Sequence, residues 1–167
     1  EISETLRGEP SPTLLSTLDS CKTAMGSRWL RHALHHPLRE RQIITARIDA
    51  VSTLLGDRGP GAYAPIREAL RPVSDVERIA ARIGLRSARP CDLSALRETL
   101  AVLPAIHALL QPLASLRLAC LAQDVAPRPA LSDLLSAALL SEPAAMIREG
   151  GVINDGFDAE LDELRAI

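Results

Sequence analysis

The chain has 167 residues, a formal net charge of −2, 47% hydrophobic residues and only 2% aromatic ones. That length suits one domain or two very small ones, and the Leu- and Ala-rich, aromatic-poor composition favours helix over strand. The charge balance excludes the overall basic field that drives independent nucleic-acid binding.

The first twelve residues hold no period, and Gly8, Pro10 and Pro12 mark a loop. Thr13 to Asp19 reads as a short helix with Leu14, Leu15 and Leu18 on one side. Thr23 is a candidate N-cap for a helix from Ala24 to about His36, ended by Pro37. Its apolar stripe is Met25, Trp29, Leu30, Ala33 and Leu34. Residues 39–55 form the cleanest pattern: Ile44, Ile48, Val51 and Leu55 have the spacing expected of a core-facing stripe. Gly56-Asp57-Arg58-Gly59-Pro60-Gly61 breaks it as a turn.

A helix follows over Ala62 to Leu70. Ser74-Asp75-Val76-Glu77 reads as a capping box that starts a helix carrying Val76, Ile79, Ala80 and Ile83, closed by Gly84. Asp92 is expected to cap the next, with Leu93, Leu96, Leu100 and Leu103 on one face. Pro104 kinks that helix or begins another bearing Ile106, Leu109 and Leu110. Shorter helices are expected near 113–122 and 130–140. The one candidate hairpin pairs Met146–Arg148 with Val152–Asn154 across Gly150-Gly151. The fold class is therefore all-α, an irregular helical bundle with a small loop or hairpin near 146–156.

Several chemistries can be weighed from residue types alone. A phosphate-binding loop needs a lysine after its glycines, and the only lysine is Lys22, with no glycine at the required spacing. His32 and His36 lie one helical turn apart, but no HExxH pattern accompanies them, so a polar helix end is the expectation and no metal site. Cys21, Cys91 and Cys120 have no CxxC spacing, which argues against a zinc site or a disulfide framework. They read as helix-packing residues of a reducing, cytoplasmic protein. No uninterrupted apolar run reaches the 18 or so residues of a membrane span, so no membrane partner is expected. Lys22, Arg28, Arg31, Arg39 and Arg41 form a basic cluster. Of these, Arg28 and Arg31 share a helix face and are candidate contacts to DNA phosphate or to a neighbouring domain. Gly150, Gly151 and Gly156 are candidate backbone pivots, because glycine alone tolerates positive φ cheaply.

Four blocks of the chain resemble the MutS family of DNA mismatch repair proteins, in that family's order. They are residues 13–38, with Thr23-Ala-Met-Gly-Ser-Arg28 and Pro37-Leu38; Asp75 to Ile83, opening Asp75-Val-Glu-Arg78; Ala88 to Arg97, with Arg89-Pro-Cys-Asp-Leu93; and Glu142-Pro143 with Arg148 to Arg165. Residues 57–73 and 113–130 match in helical character alone, and Trp29 and Ala33 depart from the commoner choices. The resemblance implies the first segment of the core, or lever, domain over residues 1–156. Residues 157–167 would be the start of the lever helix leading to a DNA clamp, cut out of a longer chain.

It also implies a parent that recognises mismatched double-stranded DNA, works as a homodimer with a MutL-type partner, and acts in the bacterial cytoplasm at the nucleoid. ATP and magnesium would bind a separate ATPase domain, so these residues are expected to be non-catalytic and without a cofactor of their own. The alternatives are a helical protein–protein interaction domain unrelated to repair, or a small helical enzyme with an Arg and His pocket.

Overall fold

The computed structural model describes residues 1–56 and 61–167. The turn expected over 57–60 lies outside the described residues. The helices are α1 (Leu14–Leu18), α2 (Ala24–His35), α3 (Arg41–Leu55), α4 (Tyr63–Ala69), α5 (Val76–Gly84), α6 (Pro90–Leu110), α7 (Leu116–Asp124), α8 (Pro129–Ala138) and α9 (Ala159–Arg165), with a 3-10 turn at Ile147–Glu149. No strand forms among the described residues, so the all-α class holds. The chain divides into two compact units, Glu1–Asp75 with Ala105–Ala126, and Val76–Pro104 with Pro127–Ile167.

In the first unit, local capping sets the helix starts. The Thr13 hydroxyl accepts from the Ser16 amide, and the Ser16 hydroxyl accepts from the Thr13 amide, a reciprocal cap for α1. Thr23 caps α2 as its sequence implies, its hydroxyl accepting from the Gly26 amide at 3.1 Å. Helix α1 packs on α2 and α3 packs on α7. Leu15, Ala50, Ile106, Leu110, Leu118 and Ala122 are buried. The ring of His107 donates from Nδ1 to the Ala122 carbonyl at 2.8 Å, which fixes its tautomer in a structural role.

The stripe expected to face the core of α3 does not. Ile48, Val51 and Leu55 are 61%, 54% and 62% exposed, and Ile44 also lies at the surface. Ala50 is buried and Ala46, Asp49 and Thr53 are half-buried, so the small-residue face turns inward. Small side chains let a neighbouring helix approach closely, and α3 packs on α7. Trp29 is likewise at the surface, with the Arg47 guanidinium 5.1 Å from its ring centroid. Helix α3 ends at Gly56 with φ 88°. A Cβ on Gly61 would fall 2.7 Å from the Leu55 carbonyl oxygen, so the chain can pass there only as glycine.

The second unit has one apolar centre. Ile79 of α5, Leu96 and Leu100 of α6, and Leu135 and Leu139 at the end of α8 are buried together, with Val152 and Ile153 against them. Helix α6 begins at Pro90, the residue type suited to a first helical position. Asp92 is thus its third residue rather than its cap, and its carboxylate accepts from the Arg89 amide at 2.9 Å. Pro104 lies inside α6, and the helix continues to Leu110. By length and composition α6 is apolar enough to cross a membrane, more so than its charged residues suggest in the sequence. Its Leu96, Leu100, Ile106 and Leu110 are buried in protein packing.

The expected pairing of Met146–Arg148 with Val152–Asn154 is replaced by another. Leu139 forms an isolated antiparallel bridge with Ile153, the Leu140 amide donates to the Val152 carbonyl, and the Asn154 amide donates to the Ala138 carbonyl. Hydrophobic burial selects this register, because Leu139 joins the apolar centre whereas Met146 and Ile147 stay 48% and 72% exposed.

Candidate functional site

The basic cluster of the first unit is built from the start of α2. Asp19 lies just before it, and its Oδ1 accepts from the Cys21 amide at 3.0 Å and the Ser27 hydroxyl at 3.1 Å. The Ser27 hydroxyl, then the Cys21 amide, hold this carboxyl below the usual aspartate value. Partial burial, reinforced by the Asp19 carboxylate, pushes the Cys21 thiol up, the opposite of what a nucleophile needs. All three cysteines are free and at the surface, so none is the buried packing residue expected.

Arg28, one helical position on, turns to Asp75. Its Nη1 donates to Oδ2 at 2.6 Å and its Nη2 to Oδ1 at 2.8 Å, a two-pronged ion pair within the first unit. Arg31 is exposed, and its side chain makes no hydrogen bond or ion pair among the described residues. The two arginines proposed to share a role are therefore in different circumstances. His32 and His36 stack at 4.2 Å between ring centroids, and His35 Nε2 is hydrogen-bonded to the Ser3 hydroxyl at 2.8 Å. Among the described residues no group of three or more His, Cys, Asp or Glu side chains could hold a metal ion.

In the second unit, Arg82 of α5 forms an ion pair with the buried Asp92 carboxylate, and Arg89 lies 3.8 Å from the same group. The Arg89 backbone amide is the largest influence lowering the Asp92 carboxyl below the usual aspartate range. Burial opposes it, and the Arg82 and Arg89 charges then add to the lowering.

The loop that carries Gly150 and Gly151 is anchored on both sides. Arg97 of α6 donates to the carbonyls of Leu139, Leu140 and Ser141 at 3.2, 2.8 and 2.7 Å. The Asn154 side-chain amide donates to the carbonyls of Ser136, Ala137 and Leu139 at 3.2, 2.9 and 2.8 Å. Asn154 thus satisfies the Ser136 and Ala137 carbonyls in the last turn of α8, which have no partner inside the helix, and Arg97 holds the three residues that follow it. Gly150, Gly151 and Gly156 adopt φ of 70°, 63° and 81°, and a Cβ on any of them would meet open space. Their requirement for glycine is thus one of backbone conformation alone. Past them, Asp158 caps α9 by accepting from the Leu161 amide, and Arg165 donates to Asp155 and to the Ile153 carbonyl.

Sequence reasoning singled out neither Arg97 nor Asn154, although both lie in the blocks that carry the resemblance. Their partners are backbone carbonyls far along the chain, and nothing in residue type or spacing announces such an acceptor. Each block instead contributes a joint: Thr23, Ser27 and Arg28 in the first, Asp75 in the second, Asp92 in the third, Asn154 in the fourth.

The protein-family model described as MutS domain III matches residues 1–167. It covers the helical units and the joints alike, and it is a model of a non-catalytic core domain. The chain belongs to the MutS family of mismatch repair proteins, as a fragment of its core domain.

Proposed function

We propose that the chain is the lever body of a mismatch repair protein, coupling ATP binding and hydrolysis in a separate domain to the grip on mismatched DNA. The observation that carries this reading is the pair of anchors, Arg97 on residues 139–141 and Asn154 on residues 136–139, that flank Gly150 and Gly151 and precede Gly156. A lever needs a stiff body and a short compliant joint, because packed elements with discrete arrangements transmit displacement. Arg97 ties residues 139–141 to α6, Asn154 ties the end of α8 to the chain just ahead of Gly156 and α9, and Gly150 and Gly151 lie in the loop between these anchors. On this reading Gly150, Gly151 and Gly156 are the pivot and α9 is the first turn of the arm leading to the clamp.

Arg28 then serves the rigidity of the body through Asp75, and Arg31 is the residue left to contact DNA phosphate or a neighbouring domain. The parent would bind ATP and magnesium in its ATPase domain, act as a homodimer on mismatched duplex DNA with a MutL-type partner, and work in the bacterial cytoplasm at the nucleoid.

The test is the Gly150→Ala, Gly151→Ala double variant in the full-length parent. The expected result is normal nucleotide binding and normal DNA binding without nucleotide, but loss of ATP-driven release from a mismatch. Unchanged release would remove the pivot. For Arg31→Ala, a phosphate contact predicts weaker DNA binding and a salt slope shallower by about one unit, whereas an interdomain contact leaves that slope alone.

A further inference from the structure

One polar face of α9 is turned back on the chain that leads into it. Asp158, Asp162 and Arg165 recur at helical spacing. Asp158 caps the helix. One turn on, Asp162 Oδ2 accepts from the Gly156 amide at 2.7 Å. Arg165 donates from Nη2 to the Ile153 carbonyl at 3.0 Å and from Nη1 to Asp155 at 2.8 Å. Asp162 and Arg165 lie 3.7 Å apart, so each braces the other. Gly156, the corner at φ 81°, is thus fastened at its own amide and again at Ile153, before the corner. The same segment is fastened to α8 on its other side. Ile153 bridges Leu139 and packs on the apolar centre, and Asn154 holds the Ala137 carbonyl.

We propose that Asp162 and Arg165 are positioning residues that latch the corner at Gly156. While both bonds are made, α9 moves as one piece with the apolar centre of its unit. When they are released, Gly156 bends and absorbs the movement of the arm. The inference rests on the lever reading and adds the contact that decides whether the arm turns the body. Charge-assisted bonds to backbone groups suit that task, because they fix direction as well as distance. A pair of bonds that is either made or broken also gives the joint discrete arrangements, which a transmitting element needs.

Amide exchange of the chain tests the latch directly. Asp162→Ala should speed exchange at Gly156 by about tenfold or more, the loss expected for a bond to a charged acceptor. Asp162→Asn, which keeps an acceptor oxygen, should stay closer to wild type. The Leu140 amide, which donates to the Val152 carbonyl, should be unaffected. Alanine favours helix, so neither Asp162→Ala nor Arg165→Ala should unwind α9. In the full-length parent, both variants should bind nucleotide and nucleotide-free mismatched DNA normally, yet slow ATP-driven release by about fivefold or more. Gly156 exchange equal to wild type in Asp162→Ala overturns the proposal. So does equal acceleration at Leu140, which would mean general loosening. Normal release in both latch variants, where the Gly150→Ala, Gly151→Ala double variant blocks it, overturns the latch and keeps the lever. Normal release in all three overturns the lever reading and the latch with it.

Discussion

Arg28 grips Asp75 with both guanidinium prongs across 47 residues of sequence, at 2.6 and 2.8 Å. The contact joins two of the sequence blocks that identify the family, the Thr23–Arg28 start of α2 and the residue before α5. Its geometry makes arginine and lysine unequal here, because a single ammonium cannot match two carboxylate oxygens in one plane. Arg28→Lys should lower stability by about 1 kcal/mol and Arg28→Ala by somewhat more, values trimmed by the partial exposure of both side chains. A double-mutant cycle of Arg28→Ala with Asp75→Ala, read by urea unfolding, should give a coupling of about 1 kcal/mol. A coupling near zero would show that the pair adds nothing beyond its separate parts.

Gly150 and Gly151 make a separate prediction that needs no parent protein. Gly150 combines φ 70° with ψ −168°, a region that residues with a Cβ scarcely visit. Gly150→Ala should therefore cost about 2 kcal/mol, and Gly151→Ala, at φ 63°, about 1 kcal/mol. No side-chain clash contributes, since a Cβ at either position meets open space. The Ala144 amide, which donates to the Gly151 carbonyl, should exchange faster in both variants. Urea midpoints equal to wild type would mean that the loop relaxes freely and stores no backbone constraint.

Legibility in the sequence followed the range of the interaction. Thr23 was readable as a cap because its acceptor oxygen and the Gly26 amide lie three residues apart. The Leu96 and Leu100 face was readable because one helix carries the whole pattern and that face is buried. The stripe Ile44, Ile48, Val51 and Leu55 had equally good periodicity and misled, because periodicity says which residues share a face but not which face meets a neighbour. Ala46 and Ala50 lie on the face that is turned inward, in a helix that packs on α7. Among the candidate site residues, Arg28 and Arg31 looked alike, and only the distant carboxylate of Asp75 separates them. The glycines were legible as conformationally special, since positive φ is a local property. The anchors Arg97 and Asn154 were not, since their acceptors lie 42 to 44 and 15 to 18 residues away.

Asn154 and Arg97 both donate to the Leu139 carbonyl just past α8, so their losses should not add. Asn154→Ala leaves the Ser136 and Ala137 carbonyls without their side-chain donor and should cost about 1–2 kcal/mol. Arg97→Ala removes three donations and should cost about as much or more. The Leu139 carbonyl accepts from both, so one donor partly covers the loss of the other. The double variant should therefore lose more than the sum of the two single changes. Strict additivity in thermal or urea unfolding would show that the two anchors act independently.

Asp92 makes the fold sensitive to acid in a defined direction. Its carboxyl is buried, accepts from the Arg89 amide and pairs with Arg82, and its folded-state pKa is lowered. A lowered folded pKa means that the ionised form is favoured by folding. The resulting stabilisation is complete above the unfolded aspartate value of about 3.9 and is lost as pH falls through the folded value. At pH 7, Asp92→Asn should cost about 2–3 kcal/mol, because a buried charged partner of Arg82 is removed while a polar group of the same size remains. Asparagine does not titrate, so the gap between wild type and variant should close as the medium is taken from pH 5 to below the ordinary aspartate pKa. Urea unfolding of both proteins across that range measures it. A gap of constant size would assign the loss to packing around residue 92 and not to its charge.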